Sequence, residues 1–148
     1  MREFKTDESL WDYADKENFL VIPITSYVRK DGSLVLTNEL AKEAAEKFAD
    51  LQKRWGYFIE NGVSLPTYRR ANMNLMGIVE RKHYASKPDK ETVEEGLYLL
   101  NEASSENPSY VFYMYGLIGG EEFRDSHEKI LTNERIILLE REKDDISV

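Results

Sequence analysis

Apolar residues along the chain gather in short runs that polar, turn-forming stretches separate. Continuous apolar or β-branched runs of about five residues are typical of strands that are buried on both faces of a sheet. The main runs predict strands at Phe19–Ile24, Leu75–Val79, Ser109–Tyr115 and Arg135–Leu139. Weaker patterns predict an edge strand at Met1–Lys5 and a loosely paired strand at Thr67–Ala71.

Other segments have the three- and four-residue spacing of a helix with one apolar face. The first predicted helix runs from about Asn38 to Trp55, with Thr37 as its N-cap and Gly56 as its stop. A second helix follows the Ser86–Asp89 cluster and continues to about Ser104. A third is predicted at Phe123–Leu131, in line with its mixed apolar and charged pattern.

Strands that alternate with helices indicate an α/β protein. We therefore expect a three-layer α/β/α sandwich with a mixed, mostly parallel central sheet. The length of 148 residues suits a single domain over positions 1–148. The charged segment Glu140–Val148 is expected to fray.

Composition narrows the range of partners. The formal net charge is −8, which argues against general binding to a nucleic-acid backbone but still allows a small anionic ligand. The chain has no cysteine and only two histidines, so we expect no metal site and no cofactor. Without an apolar signal segment or a run of about 20 apolar residues, no membrane contact is expected and a cytoplasmic location is the default.

A glycine turn, Gly116–Gly120, carries the clearest candidate chemistry. It follows the Ser109–Tyr115 strand and precedes a helix, and free backbone N–H groups at such a turn can hold an anion. The alternative is that the glycines only turn the chain. In α/β folds, ligands bind beyond the carboxyl ends of the strands, so the loops Thr25–Gly32, Glu80–Ser86 and Gly116–Phe123 should face one another.

The order of these elements resembles the macro domain, the ADP-ribose-binding module. Thr6-Asp7 is similar to the family's Gly-Asp element, and Thr25-Ser26 with Gly32 is similar to its strand, Thr-Asn and glycine loop. The Gly116-Leu-Ile-Gly119-Gly120 stretch is similar to the family's phosphate loop. The resemblance extends over nearly the whole chain and lies in order and spacing, because each motif is loose.

The resemblance implies binding of ADP-ribose or a related nucleotide diphosphate. It also implies hydrolysis of ADP-ribose 1''-phosphate or an ADP-ribosyl ester if the chain is an enzyme. Ser26 stands where the family has Asn, and a serine cannot reproduce the paired donor and acceptor of an amide. No catalytic residue is assigned. The alternatives are a non-catalytic module that recognises a protein partner on the same fold, and an enzyme for another nucleotide.

Each candidate ligand residue also has a purely structural alternative. Asp7, implied to hold the adenine amine, could be a turn or cap residue, and the hydroxyls of Thr25 and Ser26 could satisfy local backbone. Gly32 could serve a simple turn, and Phe123 could be a core aromatic. The predicted ligand-binding set is Asp7, Thr25, Ser26, Gly32, Gly116, Leu117, Ile118, Gly119, Gly120 and Phe123.

Two histidines and one further aromatic residue are additional candidates. His83, at the end of a predicted strand, could act as a general acid or base, or could hydrogen-bond its own loop. His127, on the helix after the glycine turn, is interpreted as a surface or packing residue. Tyr84 could stack on adenine, or could belong to the core.

Overall fold

The structure, a computed structural model, describes residues 1–142. Its strands are β1 (Arg2–Thr6), β2 (Asn18–Thr25), β3 (Thr67–Arg70), β4 (Met73–Arg81), β5 (Val111–Tyr115) and β6 (Ile136–Arg141). Its α-helices are α1 (Glu39–Lys47), α2 (Leu51–Glu60), α3 (Lys90–Glu106) and α4 (Arg124–Ile130). Single turns of 3-10 helix occupy Leu10–Tyr13 and Glu121–Phe123.

All six strands form one sheet in the order β1-β6-β5-β2-β4-β3. Every neighbouring pair is parallel except β3 and β4, which are antiparallel. The central strand β2 is bonded on both sides, so that Val21 lies opposite Met76 of β4 and Met114 of β5. The predicted mixed, mostly parallel sheet is confirmed.

Helices cover both faces of this sheet. Alternate residues of β2 enter different cores: Val21 packs with the cluster under α3 and α4, whereas Leu20 and Ile22 pack with the cluster under α1 and α2. All three side chains are 0% exposed. Burial of each such aliphatic side chain contributes about 1.5–3 kcal/mol. The continuous apolar run therefore reflects a strand that has no solvent-facing side.

One predicted helix is wrong in its extent. The apolar stripe from Asn38 to Trp55 belongs to two helices, α1 and α2, which a break at Phe48–Asp50 separates. The backbone of Phe48 is extended there, with φ −133° and ψ 103°. Gly56 is not a stop but lies within α2.

The first two residues of the segment that was predicted to fray belong to the sheet. Strand β6 continues to Arg141 and pairs with β1, so Glu140 and Arg141 are part of the sheet. Positions 143–148, the rest of that segment, lie outside the described residues.

Candidate functional site

The parallel strands bring four loops to one edge of the sheet. These loops follow the carboxyl ends of β1, β2, β4 and β5, and they begin at Asp7, Ser26, Lys82 and Gly116. In open α/β sheets this edge is where ligands bind. A cleft at this edge is therefore a candidate ligand site.

One cleft at this edge has a volume of about 370 Å³. Asp7, which follows β1, lines it together with Leu40 of α1, Tyr115 of β5 and Arg141 of β6. Three further carboxylates, Glu8, Glu39 and Glu43, also line it. The cleft therefore combines apolar walls with many hydrogen-bond acceptors, a combination that suits a base bearing an amino group.

The glycine loop begins directly after Tyr115, one of the residues that line this cleft. Gly116, Gly119 and Gly120 have φ values of 86°, 83° and 111°, in the left-handed region that favours glycine. The turn is thus built on glycine conformations, as a loop that approaches an anion closely would be.

Four amides of this loop already have acceptors within the protein. The amide of Gly116 donates to Leu139 O (2.9 Å), and that of Gly120 donates to Leu117 O (3.2 Å). The amide of Ile118 donates to His127 Nε2 (2.9 Å), and that of Gly119 donates to Glu80 Oε2 (3.1 Å). In this conformation, these four N–H groups are bonded to the protein itself.

Glu80 reaches the loop from a bulge in β4. Ile24 of β2 pairs with Val79, and the next residue, Thr25, pairs with Arg81, so Glu80 is the additional residue. A bulge of this kind redirects a side chain, and bulges are common beside functional sites. Glu80 is only 6% exposed.

The Glu80 carboxylate bridges two partners. One oxygen accepts from the Gly119 amide, and the other lies 3.3 Å from Nη2 of Arg81. Arg81 also donates from Nη1 to Ser86 O (3.1 Å). Within residues 1–142, no group accepts from the buried Nε of Arg81.

His127 holds the other side of the loop from α4. It is 0% exposed, its Nε2 accepts from the Ile118 amide, and its Nδ1 lies 2.7 Å from Phe123 O. These partners require the tautomer with the proton on Nδ1. Burial lowers the pKa of His127 below its ordinary value, because desolvation disfavours the charged imidazolium.

The loop after β2 folds back onto α2. Its residues form a small hairpin in which Val28 bridges Leu34, and the turn at its tip contains Gly32 with φ 88°. The Gly32 carbonyl lies against Gly56 of α2 so closely that a side chain at Gly56 would collide with it. The tip of this loop is therefore held by the helix.

Three aromatic rings cluster where the loops after β2 and β4 meet. His83 stacks on Tyr84 with ring centroids 4.3 Å apart, and Tyr27 meets both rings edge-on. Tyr84 is 48% exposed and therefore does not belong to the core. The Nδ1 of His83 accepts from the Ala85 amide (3.0 Å), in keeping with the loop-bonding interpretation of this histidine.

Solved structures similar to this chain were found by comparison of the folds. The macrodomain of Thermus aquaticus DarG has a TM-score of 0.72 at 18% sequence identity, covering 96% of this chain and 97% of that chain. The Thermosipho africanus DarTG structure in complex with ADP-ribose has a TM-score of 0.74 at 13% identity, covering 95% of this chain and 42% of that chain. A macrodomain protein from Streptomyces coelicolor has a TM-score of 0.61 at 11% identity, covering 97% and 99%.

The chain has the macro-domain fold. No protein-family model and no curated protein matches its sequence. The likeness is therefore one of structure, and the resemblance inferred from the order and spacing of the motifs is confirmed at the level of the fold.

The macro-domain fold places the predicted ligand residues in different settings. Asp7 lines the cleft, and the glycine loop follows Tyr115, which also lines it. Gly32 lies at α2, and Ile118 and Phe123 are 1% and 7% exposed as members of the core under α3 and α4. The ligand roles of all these residues remain predictions.

The hydroxyl groups of Thr25, at the end of β2, and of Ser26, which follows it, have hydrogen-bond partners within the protein. Thr25 is buried, and its Oγ1 donates to Val35 O (2.9 Å) and accepts from the Tyr27 amide (3.2 Å). Ser26 Oγ lies 3.4 Å from Lys82 O, beside a separate cavity of about 160 Å³. That cavity shares no lining residue with the cleft at Asp7.

The two residues that bond the glycine loop, Glu80 and His127, were not predicted as site residues from the sequence. In the sequence, Glu80 is only a charged residue at the end of an apolar run, and in the structure it bonds the Gly119 amide. His127 was interpreted as a surface or packing residue. It does pack, and it also bonds the Ile118 amide of the loop. Glu80 reaches the loop from the bulge in β4 and His127 reaches it from α4, and no local pattern reveals either position. Among residues 1–142, no three or more His, Asp or Glu residues come together to hold a metal ion, and no helix there is long and apolar enough to cross a membrane.

Proposed function

We propose that this chain binds ADP-ribose or a related nucleotide diphosphate derivative. The observation that carries the proposal is the cleft of about 370 Å³ that is lined by Asp7 and by Tyr115, the residue directly before the glycine loop. Support also comes from the solved structure of similar fold that was determined in complex with ADP-ribose.

In this proposal the adenine end of the ligand occupies the cleft. The Asp7 carboxylate accepts a hydrogen bond from the adenine amine, and Leu40 and Tyr115 contact the faces of the base. The diphosphate lies toward the Gly116–Gly120 loop, and the distal ribose lies toward Ser26.

Calorimetric titration with ADP-ribose tests the proposal. Saturation at about 100 times Kd should also raise the free energy of unfolding by about 2.7 kcal/mol. Asp7→Ala should weaken binding about tenfold or more, because a hydrogen bond to a charged group contributes about 1.5–3 kcal/mol.

The matched control for this titration is Glu106→Ala. Glu106 is an exposed carboxylate at the far end of α3, so its loss should leave the affinity for ADP-ribose unchanged. If wild type shows neither heat of binding nor thermal stabilisation with ADP-ribose, the proposal fails and the non-catalytic interaction module becomes the better hypothesis. A preference for a base other than adenine, with no effect of Asp7→Ala, would favour another nucleotide.

Hydrolysis is the finer hypothesis and needs its own assay. Water would release phosphate from ADP-ribose 1''-phosphate and leave ADP-ribose, or would cleave an ADP-ribosyl ester. Release of inorganic phosphate measures the first reaction directly. Tight binding of ADP-ribose without phosphate release or ester cleavage would identify a binding module rather than a hydrolase.

A further inference from the structure

The strongest unexplained feature at the glycine loop is an anion supplied by the protein itself. We propose that the Glu80 carboxylate accepts the hydrogen bond of the Gly119 amide that a ligand phosphate would otherwise accept. Glu80 thereby sets how strongly the site binds anionic ligands. This inference rests on the proposed binding of a nucleotide diphosphate, and it names the residue that regulates it.

The chemistry of the contact supports this exchange. Backbone amides at a glycine turn bind carboxylate and phosphate oxygens alike, since both are charged acceptors. Glu80 Oε2 lies 3.1 Å from the Gly119 nitrogen, and the residue is 6% exposed. A phosphate that bonded the same amide would meet a carboxylate in a setting with little water, where like charges repel strongly.

The neighbouring arginine offers Glu80 a second position. Arg81 Nη2 already lies 3.3 Å from Glu80 Oε1, and the adjacent Nε is a buried donor without an acceptor among the described residues. Rotation of the carboxylate onto Nε and Nη2 together would form a bidentate ion pair. It would satisfy Nε and release the Gly119 amide to a phosphate oxygen.

Glu80 therefore has two alternative partners, and the ligand charge decides between them. Without an anionic ligand the carboxylate bonds Gly119, and with one it moves fully onto Arg81. A neutral nucleoside that fills only the cleft at Asp7 leaves Glu80 on Gly119. The need to displace Glu80 therefore lowers the affinity for phosphate-bearing ligands but not for a neutral nucleoside.

The central experiment compares wild type with Glu80→Gln for adenosine, ADP and ADP-ribose. Glutamine keeps the shape and an acceptor but has no charge, so ADP and ADP-ribose should bind about tenfold more tightly, or about 1.4 kcal/mol. The affinity for adenosine should stay unchanged. Glu91→Gln is the matched control, because Glu91 is exposed on the first turn of α3, outside the contacts to the loop, and its loss should change no affinity.

A second variant tests the role of the arginine. In the otherwise wild-type chain, Arg81→Lys removes Nε and the planar guanidinium group, so this variant should bind ADP-ribose several-fold more weakly. The same change in the Glu80→Gln background should have little effect, because no carboxylate then needs the second position. Equal losses in both backgrounds would overturn the exchange.

A measurement on the unaltered chain covers the case in which a variant fails to fold. With ¹⁵N-glycine labelling, the Gly119 amide resonance should shift on addition of ADP-ribose and stay in place with adenosine. No shift at saturating ADP-ribose would overturn the proposal, as would Glu80→Gln binding ADP-ribose equally or more weakly than wild type.

The two proposals fail in distinguishable ways. If wild type binds ADP-ribose and Glu80→Gln brings no gain, only the role of Glu80 is lost. If only Glu80→Gln binds, the exchange is supported and the native chain is not an ADP-ribose binder. If neither protein binds any of the three ligands, both proposals fail.

Discussion

His127 shows how one buried side chain can govern a loop. Its ring lies between α4 and the glycine loop, where Nε2 accepts from Ile118 and Nδ1 donates to Phe123. Only the neutral imidazole can fill both roles, because the protonated form has no acceptor. The loop conformation and the protonation state of His127 are therefore linked.

This linkage predicts how stability depends on pH. Because the pKa of His127 is lowered in the folded state, the unfolded chain binds the proton first as pH falls below about 6.5. The stability present above that pH should be lost as pH falls, by at most about 1.4 kcal/mol per pH unit from this residue. Urea unfolding of wild type and His127→Gln between pH 7.5 and 5.5 measures it, and the variant should show the shallower dependence.

The control for this prediction is His83→Gln. His83 is exposed, and its Nδ1 accepts from the Ala85 amide, outside the contacts of His127, so His83→Gln should keep the steeper dependence that His127→Gln loses. Parallel stability curves for wild type and His127→Gln would show that the buried ring does not contribute.

At the scale of elements, the break between α1 and α2 is the point where tertiary contacts override helical periodicity. Phe48 packs against Tyr68 of β3 with ring centroids 4.9 Å apart, and Asp50 accepts a hydrogen bond from the Tyr68 hydroxyl and pairs with Arg70. These contacts draw the chain onto β3 between the two helices. The apolar spacing continues across the break, which is why periodicity alone predicted one helix.

Gly56 lies inside α2 because the loop after β2 approaches the helix there. The Gly32 carbonyl leaves no room for a side chain at Gly56. Gly56→Ala should therefore destabilise the fold by about 1–3 kcal/mol through overpacking, although alanine favours a helix by about 1 kcal/mol. Chemical denaturation measures the net effect.

Lys53→Ala is the comparison for this substitution. Lys53 lies on the exposed side of the same helix, so its change should stay within about 0.5 kcal/mol. A net gain in stability for Gly56→Ala would mean that the loop moves aside, and the close approach would then have no structural importance.

The whole molecule is organised around β2. This strand is bonded on both sides and enters both cores, whereas β1 and β3 lie at the edges of the sheet. In β1, four of the five residues are exposed. Protection against exchange follows burial and pairing, so stability should decrease from the centre of the sheet toward its edges.

Hydrogen exchange followed by NMR tests this gradient. Amides of Val21 and Ile22 should exchange only through global unfolding, whereas those of Glu3 and Lys5 should exchange orders of magnitude faster through local opening. Equal protection of β1 and β2 would show that the sheet opens only as a unit.

Much of the element pattern could be predicted from the sequence. Continuous apolar runs identified β2, β4, β5 and β6, because strands covered on both faces carry no polar alternation. The order of strands and helices predicted a mostly parallel sheet, and that order together with several loose motifs resembled the macro domain. Periodicity failed at Phe48, whose side chain packs against Tyr68 of a distant strand, and the helix began at the N-cap Asn38 rather than at Thr37.

The site could be predicted only in part. Local sequence located Asp7 and the Gly116–Gly120 turn, because turn chemistry and glycine conformations are properties of neighbouring residues. The tertiary structure decided which groups the loop amides contact, since Glu80 and His127 are separated from the amides they bond by 39 and 9 positions. Sequence thus predicted the glycine turn as a place for an anion, whereas the bulge in β4 and the position of α4 decided that Glu80 and His127 bond its amides.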